Sequence, residues 1–212
     1  MSVEEIVKTR GIKTVTHFTT NNGALGILAS RAAKSRTLLS ADDQLQHVFR
    51  PNADNRSRDE AWKGYLNLSI SKPNSYFFSV SRRWHRRQDF WWCIFCFSPK
   101  ILSHPGVIFT TTNNIYSGVV RGEGAKGLEA CFSNSIVHWN EKKVARSDSV
   151  KSEHTTCEQA EVLYPQQLST EFLDKIVVQN ADDSDELAAQ MAVVEHREVS
   201  IVVEPDMFPE AS

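Results

Sequence analysis

The run Cys157-Glu158-Gln159-Ala160-Glu161-Val162-Leu163-Tyr164 holds the residues best placed to do chemistry. Glu161 leads directly into an apolar Val-Leu-Tyr stretch. A carboxylate at the mouth of a buried strand is costly unless it has a partner or a task. Gln159 stands two residues earlier, and on an extended chain positions i and i+2 share a face. An amide and a carboxylate in one space can bind a neutral polar group and stabilise a developing cation. The plain alternative is a Glu that opens a strand and stays in water.

Three other groups carry chemistry. His17 and Thr19 share a face of an early strand, at its polar end. An imidazole and a hydroxyl there suit a sugar hydroxyl and an amide, against a strand histidine satisfied by backbone. Arg50, Arg56 and Arg58 lie in a polar stretch, and guanidinium forks suit a pyrophosphate. A solvated surface loop is the competing account. Arg82-Arg83-Trp84-His85-Arg86-Arg87, with Trp91 and Trp92 after it, joins phosphate-neutralising cations to a stacking surface. It is the best nucleic-acid signal in a chain whose net charge is only −2.

Metal chemistry is not expected. Cys93-x-x-Cys96 has no second ligand pair at suitable spacing, and on a strand the two would face opposite ways. His154-x-x-Cys157 is no stronger. Gly122-Glu123-Gly124-Ala125-Lys126-Gly127 follows no clear strand and reads as a flexible loop.

These residues must be held by a fold. The chain has 212 residues, 41% hydrophobic and 24% charged, as expected for one globular domain spanning 1–212 with a loose tail from about 204. Four scattered cysteines suit reduced thiols. No signal peptide or membrane span is expected, and a cytoplasmic location follows.

Ser2-x-x-Glu5 predicts a capping box on a first helix that Gly11 ends. Strands are predicted over residues 14–19, 65–71, 76–81, 90–97, 107–111, 161–164, 175–178 and 199–203. Helices are predicted from Asn22, as an N-cap, through Leu28, from Ser169, and over 185–194. Residues 41–63 and 112–156 read as long functional loops. The pattern is α+β, a mostly β core decorated by short helices.

Taken together, three blocks resemble the DarT family of toxins that ADP-ribosylate nucleic-acid bases using NAD. They are His17 to Leu28, Tyr65 to Arg83 with its aromatic Tyr76-Phe77-Phe78, and Gln159-Ala160-Glu161-Val162-Leu163. The resemblance spans roughly 14–180. It implies an ADP-ribosyltransferase-like core of two packed sheets, NAD as co-substrate, and Glu161 as the catalytic glutamate. It assigns His17, Thr19, Asn22, Gly26 and Leu28 to NAD, with Arg58 or Arg56 at the pyrophosphate. Gln159, Arg82, Arg83, Trp84, Arg86 and Arg87 would hold the target, a base in single-stranded DNA or in RNA. The stretch from Gly118 would cover the site as a lid.

The chain departs from the family at Gly23-Ala24 and at Val80-Ser81-Arg82-Arg83, where a Pro-Met segment is usual. The second departure lies where the base is chosen. A toxin also implies an antidote, either a hydrolase that removes ADP-ribose or a protein that binds the toxin, in a toxin–antitoxin or phage-defence setting. The alternatives are a transferase acting on a protein side chain and a non-catalytic nucleic-acid binding module.

Overall fold

A computed structural model describes residues 1–41, 57–84 and 90–208. Helix α1 (Val3–Arg10) opens with the expected capping box of Ser2 and Glu5, and Gly11 closes it at φ 73°. Strand β1 (Val15–Thr20) runs into α2 (Asn21–Ser30), followed by β2 (Ala32–Lys34), α3 (Arg36–Ala41) and β3 (Tyr65–Ile70). Thr20, not Asn22, is the N-cap of α2, its hydroxyl accepting from Gly23 N. The strand leads straight into the helix, so the cap falls two residues earlier than the sequence suggested.

Helix α4 (Ser75–Trp84) replaces the strand expected over 76–81. Asn74 Oδ1 accepts the Phe77 N–H at 2.9 Å and starts the helix. Phe78 and Ser81, one turn apart, are buried while Tyr76 is exposed, so burial here follows the helical period. Strands β4 (Trp92–Phe97), β5 (Ile108–Thr110) and β6 (Arg121–Glu123) follow, then α5 (Gly124–Ala130), β7 (Ser135–Val137) and β8 (Lys143–Ala145). The stretch Gly122–Gly127 is therefore not a flexible loop but the tight junction of β6 and α5. A Cβ on Gly127 would lie 2.2 Å from the Gly122 carbonyl oxygen. The chain ends with β9 (Glu161–Pro165), β10 (Gln167–Ser169), β11 (Leu173–Val178), α6 (Ala181–Val193) and β12 (Ser200–Val203). A 3₁₀ turn at 170–172 is capped by Ser169, where a short helix was expected.

Eight strands form one sheet in the order β12-β11-β4-β1-β3-β9-β5-β6, parallel only between β11 and β12. Ribbons β10–β2 and β7–β8 flank it. Every residue of β4 is buried. Cys93, Phe95 and Phe97 enter the main core under α1, α2 and α6; Trp92, Ile94 and Cys96 enter a second one with Phe18, Phe78 and Phe208. The two cysteines of the C-x-x-C do face opposite ways. Among the described residues no helix is long and apolar enough to cross a membrane.

Candidate active site

The sheet nearly divides between β1 and β3. Those strands pair only at Val15↔Ile70 and Thr16↔Ser69, whereas β1 pairs with β4 along all six residues. Beyond Thr16 the strands part, and a cleft of about 1180 Å³, partly open to solvent, fills the gap. Its walls come from β1, α2, the turn between β2 and α3, β3 and the start of α4, with Glu161 at one edge.

Glu161 is only 7% exposed. Its Oε1 accepts from Asn67 Nδ2 at 3.0 Å, and its Oε2 accepts from the Asn114 backbone N–H at 2.8 Å. Its own N–H donates to Thr110 Oγ1 at 3.1 Å. Across the cleft, the His17 ring donates from Nδ1 to the Asn67 carbonyl at 3.2 Å. Asn67 thus touches both the histidine and the carboxylate.

Several expected residues share this cleft. His17, Thr19, Asn22 and Gly26 all line it. Thr19 packs its hydroxyl so close to Gly23 that a Cβ there would lie 2.0 Å from it. Any side chain there would force the Thr19 hydroxyl to move. Leu28 does not join them: it is fully buried in the main core, on the helix face away from the cleft. Arg50, Arg56, Arg86 and Arg87 lie outside the described residues. Arg58 falls in a 3₁₀ turn at 57–62, its side chain also outside them.

Gln159 stands apart from the cleft. The chain turns before β9, with Ala160 N–H bonded to the Cys157 carbonyl at 3.0 Å, so Gln159 and Glu161 do not share an extended face. Instead the Gln159 Oε1 accepts from the Tyr116 hydroxyl at 2.9 Å, and its Nε2 lies 3.5 Å from His138 Nε2. Tyr116 meets His138 and Trp139 edge to face. Burial, with Tyr76, Cys157 and Glu161 nearby, pushes the Tyr116 hydroxyl above its ordinary range. An aromatic patch therefore lies near Glu161.

Arg82, Arg83 and Trp84 close α4, with the Arg82 guanidinium 5.8 Å from the Phe78 ring centre. Phe77, at the other end of α4, lines the cleft. The helix rise puts Arg83 about 9 Å along the axis from it. Arg82, Arg83 and Trp84 are thus not among the residues that line the cleft.

All four cysteines are free and buried. Burial pushes the Cys96 thiol up to about 11 and Cys131 to about 12. Among the described residues no group of His, Cys, Asp and Glu is placed to hold a metal.

Sequence reasoning missed Asn67, Thr110, Asn114, Tyr116 and Arg121. Asn67 left a signal as a polar residue inside Tyr65-Leu66-Asn67-Leu68. Asn114 left none, because it binds the carboxylate through its backbone.

The sheet is thus split around a cleft, with His-x-Thr on one wall and a buried glutamate at the edge. Solved structures share the fold. Thermus sp. 2.9 DarT in complex with carba-NAD+ matches with TM-score 0.64 and 14% identity, over 92% of this chain and 97% of that one. Thermus sp. 2.9 DarT in complex with ADP-ribosylated ssDNA matches with TM-score 0.64 and 12% identity, over 93% and 97%. Thermosipho africanus DarTG in complex with ADP-ribose matches with TM-score 0.60 and 15% identity, over 92% of this chain and 51% of that one. No curated protein sequence matches the chain.

The family model described as "ssDNA thymidine ADP-ribosyltransferase, DarT" matches residues 16–209. The chain belongs to the DarT family and is an NAD-dependent ADP-ribosyltransferase acting on nucleic acid.

Proposed function

We propose that the protein moves ADP-ribose from NAD to a base of single-stranded DNA, thymidine being the first acceptor to test, and that Glu161 drives the transfer. The observation that carries this is the Glu161 carboxylate, buried at the cleft edge with a hydrogen bond to each oxygen. Pre-oriented charge of this kind stabilises a cation that forms only in the transition state.

The residues fit NAD. The cleft is mixed in polarity, and Gly23 and Gly26 leave no side chains in its wall. His17 and Thr19 hold the nicotinamide and its ribose, with Asn22 and Gly26 on the adjoining wall. Arg58 or Arg56 meets the pyrophosphate. As the bond from ribose to nicotinamide breaks, nicotinamide leaves with the electron pair. Glu161 accepts a hydrogen bond from the ribose 2′-hydroxyl, which strengthens as positive charge grows, as in glycoside cleavage. The attacking base nitrogen forms the new bond, and its proton passes to Glu161 or to water.

Tyr116, Trp139 and Tyr76 offer aromatic surface near Glu161 to an unstacked base, Trp139 and Tyr76 being exposed. Gln159 is fixed by that patch and bears on the base. Arg82, Arg83 and Trp84, with Arg86 and Arg87, grip the strand backbone. On this reading the protein acts as a toxin, and its partner is an antidote that removes ADP-ribose or binds the toxin.

The test is incubation with NAD and short DNA and RNA oligonucleotides, read by mass spectrometry. One ADP-ribose should appear on the DNA, and Glu161→Ala should abolish it while keeping most NAD binding. Full transfer by Glu161→Ala would end this account.

A further inference from the structure

We infer that Arg121 is a positioning residue for Glu161, acting through Asn114; this rests on the role just proposed for Glu161. Of the two hydrogen bonds described to the carboxylate, that from Asn67 starts on a regular strand. The other, the Asn114 N–H, belongs to the irregular chain between β5 and β6. A backbone donor aims well only if its own peptide is held.

Arg121, the first residue of β6, does the holding. Its Nε donates to Asn114 Oδ1 at 2.7 Å and its Nη2 donates to the Asn114 carbonyl at 2.6 Å. One guanidinium fork therefore grips both the side chain and the backbone of the residue whose N–H meets Glu161. Lysine cannot copy this, because an ammonium lacks the planar fork.

The same fork ties in two further parts. Its carbon lies 5.1 Å from the Trp62 ring centre, at the end of the turn that carries Arg58. The held chain also carries Tyr116, which reaches Gln159. Arg121 thus joins the donor side, the carboxylate and the acceptor side. Its effect belongs to kcat, since a misaimed Glu161 weakens the transition state and leaves the NAD walls intact.

The experiment compares wild type, Arg121→Ala, Arg121→Lys and Thr111→Ala in steady-state transfer, with NAD binding measured by calorimetry. Thr111 Oγ1 accepts the Val120 N–H in the same loop without touching Asn114, so its loss loosens the loop only. In Arg121→Ala kcat should fall roughly 100-fold, the scale of a 1 Å misplacement. KM for NAD and NAD binding should stay near wild type. Arg121→Lys should recover little, and Thr111→Ala should stay close to wild type.

An unchanged kcat in Arg121→Ala overturns the inference. So does a raised KM for the oligonucleotide with kcat intact, which would make Arg121 a phosphate contact. Equal damage from Thr111→Ala, or lost NAD binding in Arg121→Ala, also overturns it by pointing to general disorder. Wild type that transfers nothing removes the role of Glu161 itself; active wild type with indifferent Arg121 variants removes this inference alone.

Discussion

At the residue scale the site is a small set of hydrogen bonds around one carboxylate. Glu161 was legible because a charge leading into Val162-Leu163-Tyr164 demands a reason. Its neighbour was legible only as a residue type. Gln159 would share its face only on an extended chain, and the bond from Ala160 to Cys157 turns that chain instead. Asn67 is the member that sequence passed over. Its side chain holds Glu161 and its carbonyl holds His17, so one residue spans the two walls. Asn67→Ala removes the side-chain donor and leaves the carbonyl. A hydrogen bond to a charged group contributes about 1.5–3 kcal/mol, so kcat should drop roughly 10- to 100-fold. NAD affinity should change little, and single-turnover kinetics would separate the two. A loss confined to NAD affinity would show that Asn67 serves binding only.

At the element scale, strands with β-branched alternation were readable, and β1, β3, β9 and β11 lie close to where the sequence put them. Helix α4 was not. Tyr76-Phe77-Phe78 has strand composition, yet the buried positions recur at Phe78 and Ser81. Tertiary packing overrode propensity: Phe78 meets Phe18, Trp92 and Phe208 at centroid distances of 5.0, 5.3 and 5.9 Å. That cluster seats the helix whose first turn lines the cleft. Phe78→Ala should therefore destabilise the protein by about 3–5 kcal/mol in denaturant unfolding. A change under about 1 kcal/mol would mean the cluster collapses without cost. The junction of β6 and α5 was unreadable for another reason. Two glycines that look like flexibility are there so that two backbones can touch.

At the scale of the whole molecule, the α+β class followed from element types, but strand order did not. Pairing β1 with β4 and β3 with β9 joins segments far apart in sequence, and no local pattern encodes that. Nor could the sequence show that β1 and β3 part company. Among the described residues the ladder between those strands is two residue pairs, Val15 with Ile70 and Thr16 with Ser69, with the His17–Asn67 bond beyond it. In the function proposed above, NAD lies across the gap beside them and so works as a cross-brace. Free energy of binding becomes resistance to opening: at 100 times Kd, about 2.7 kcal/mol. In the Glu161→Ala variant, which keeps NAD uncleaved, NAD should raise the melting temperature and slow amide exchange at Thr16 and Ser69. Unchanged exchange there would place the brace elsewhere. The consequence concerns the idle protein. A chain that has spent its NAD is also the one most easily prised open, so its abundance should track the supply of the compound it consumes.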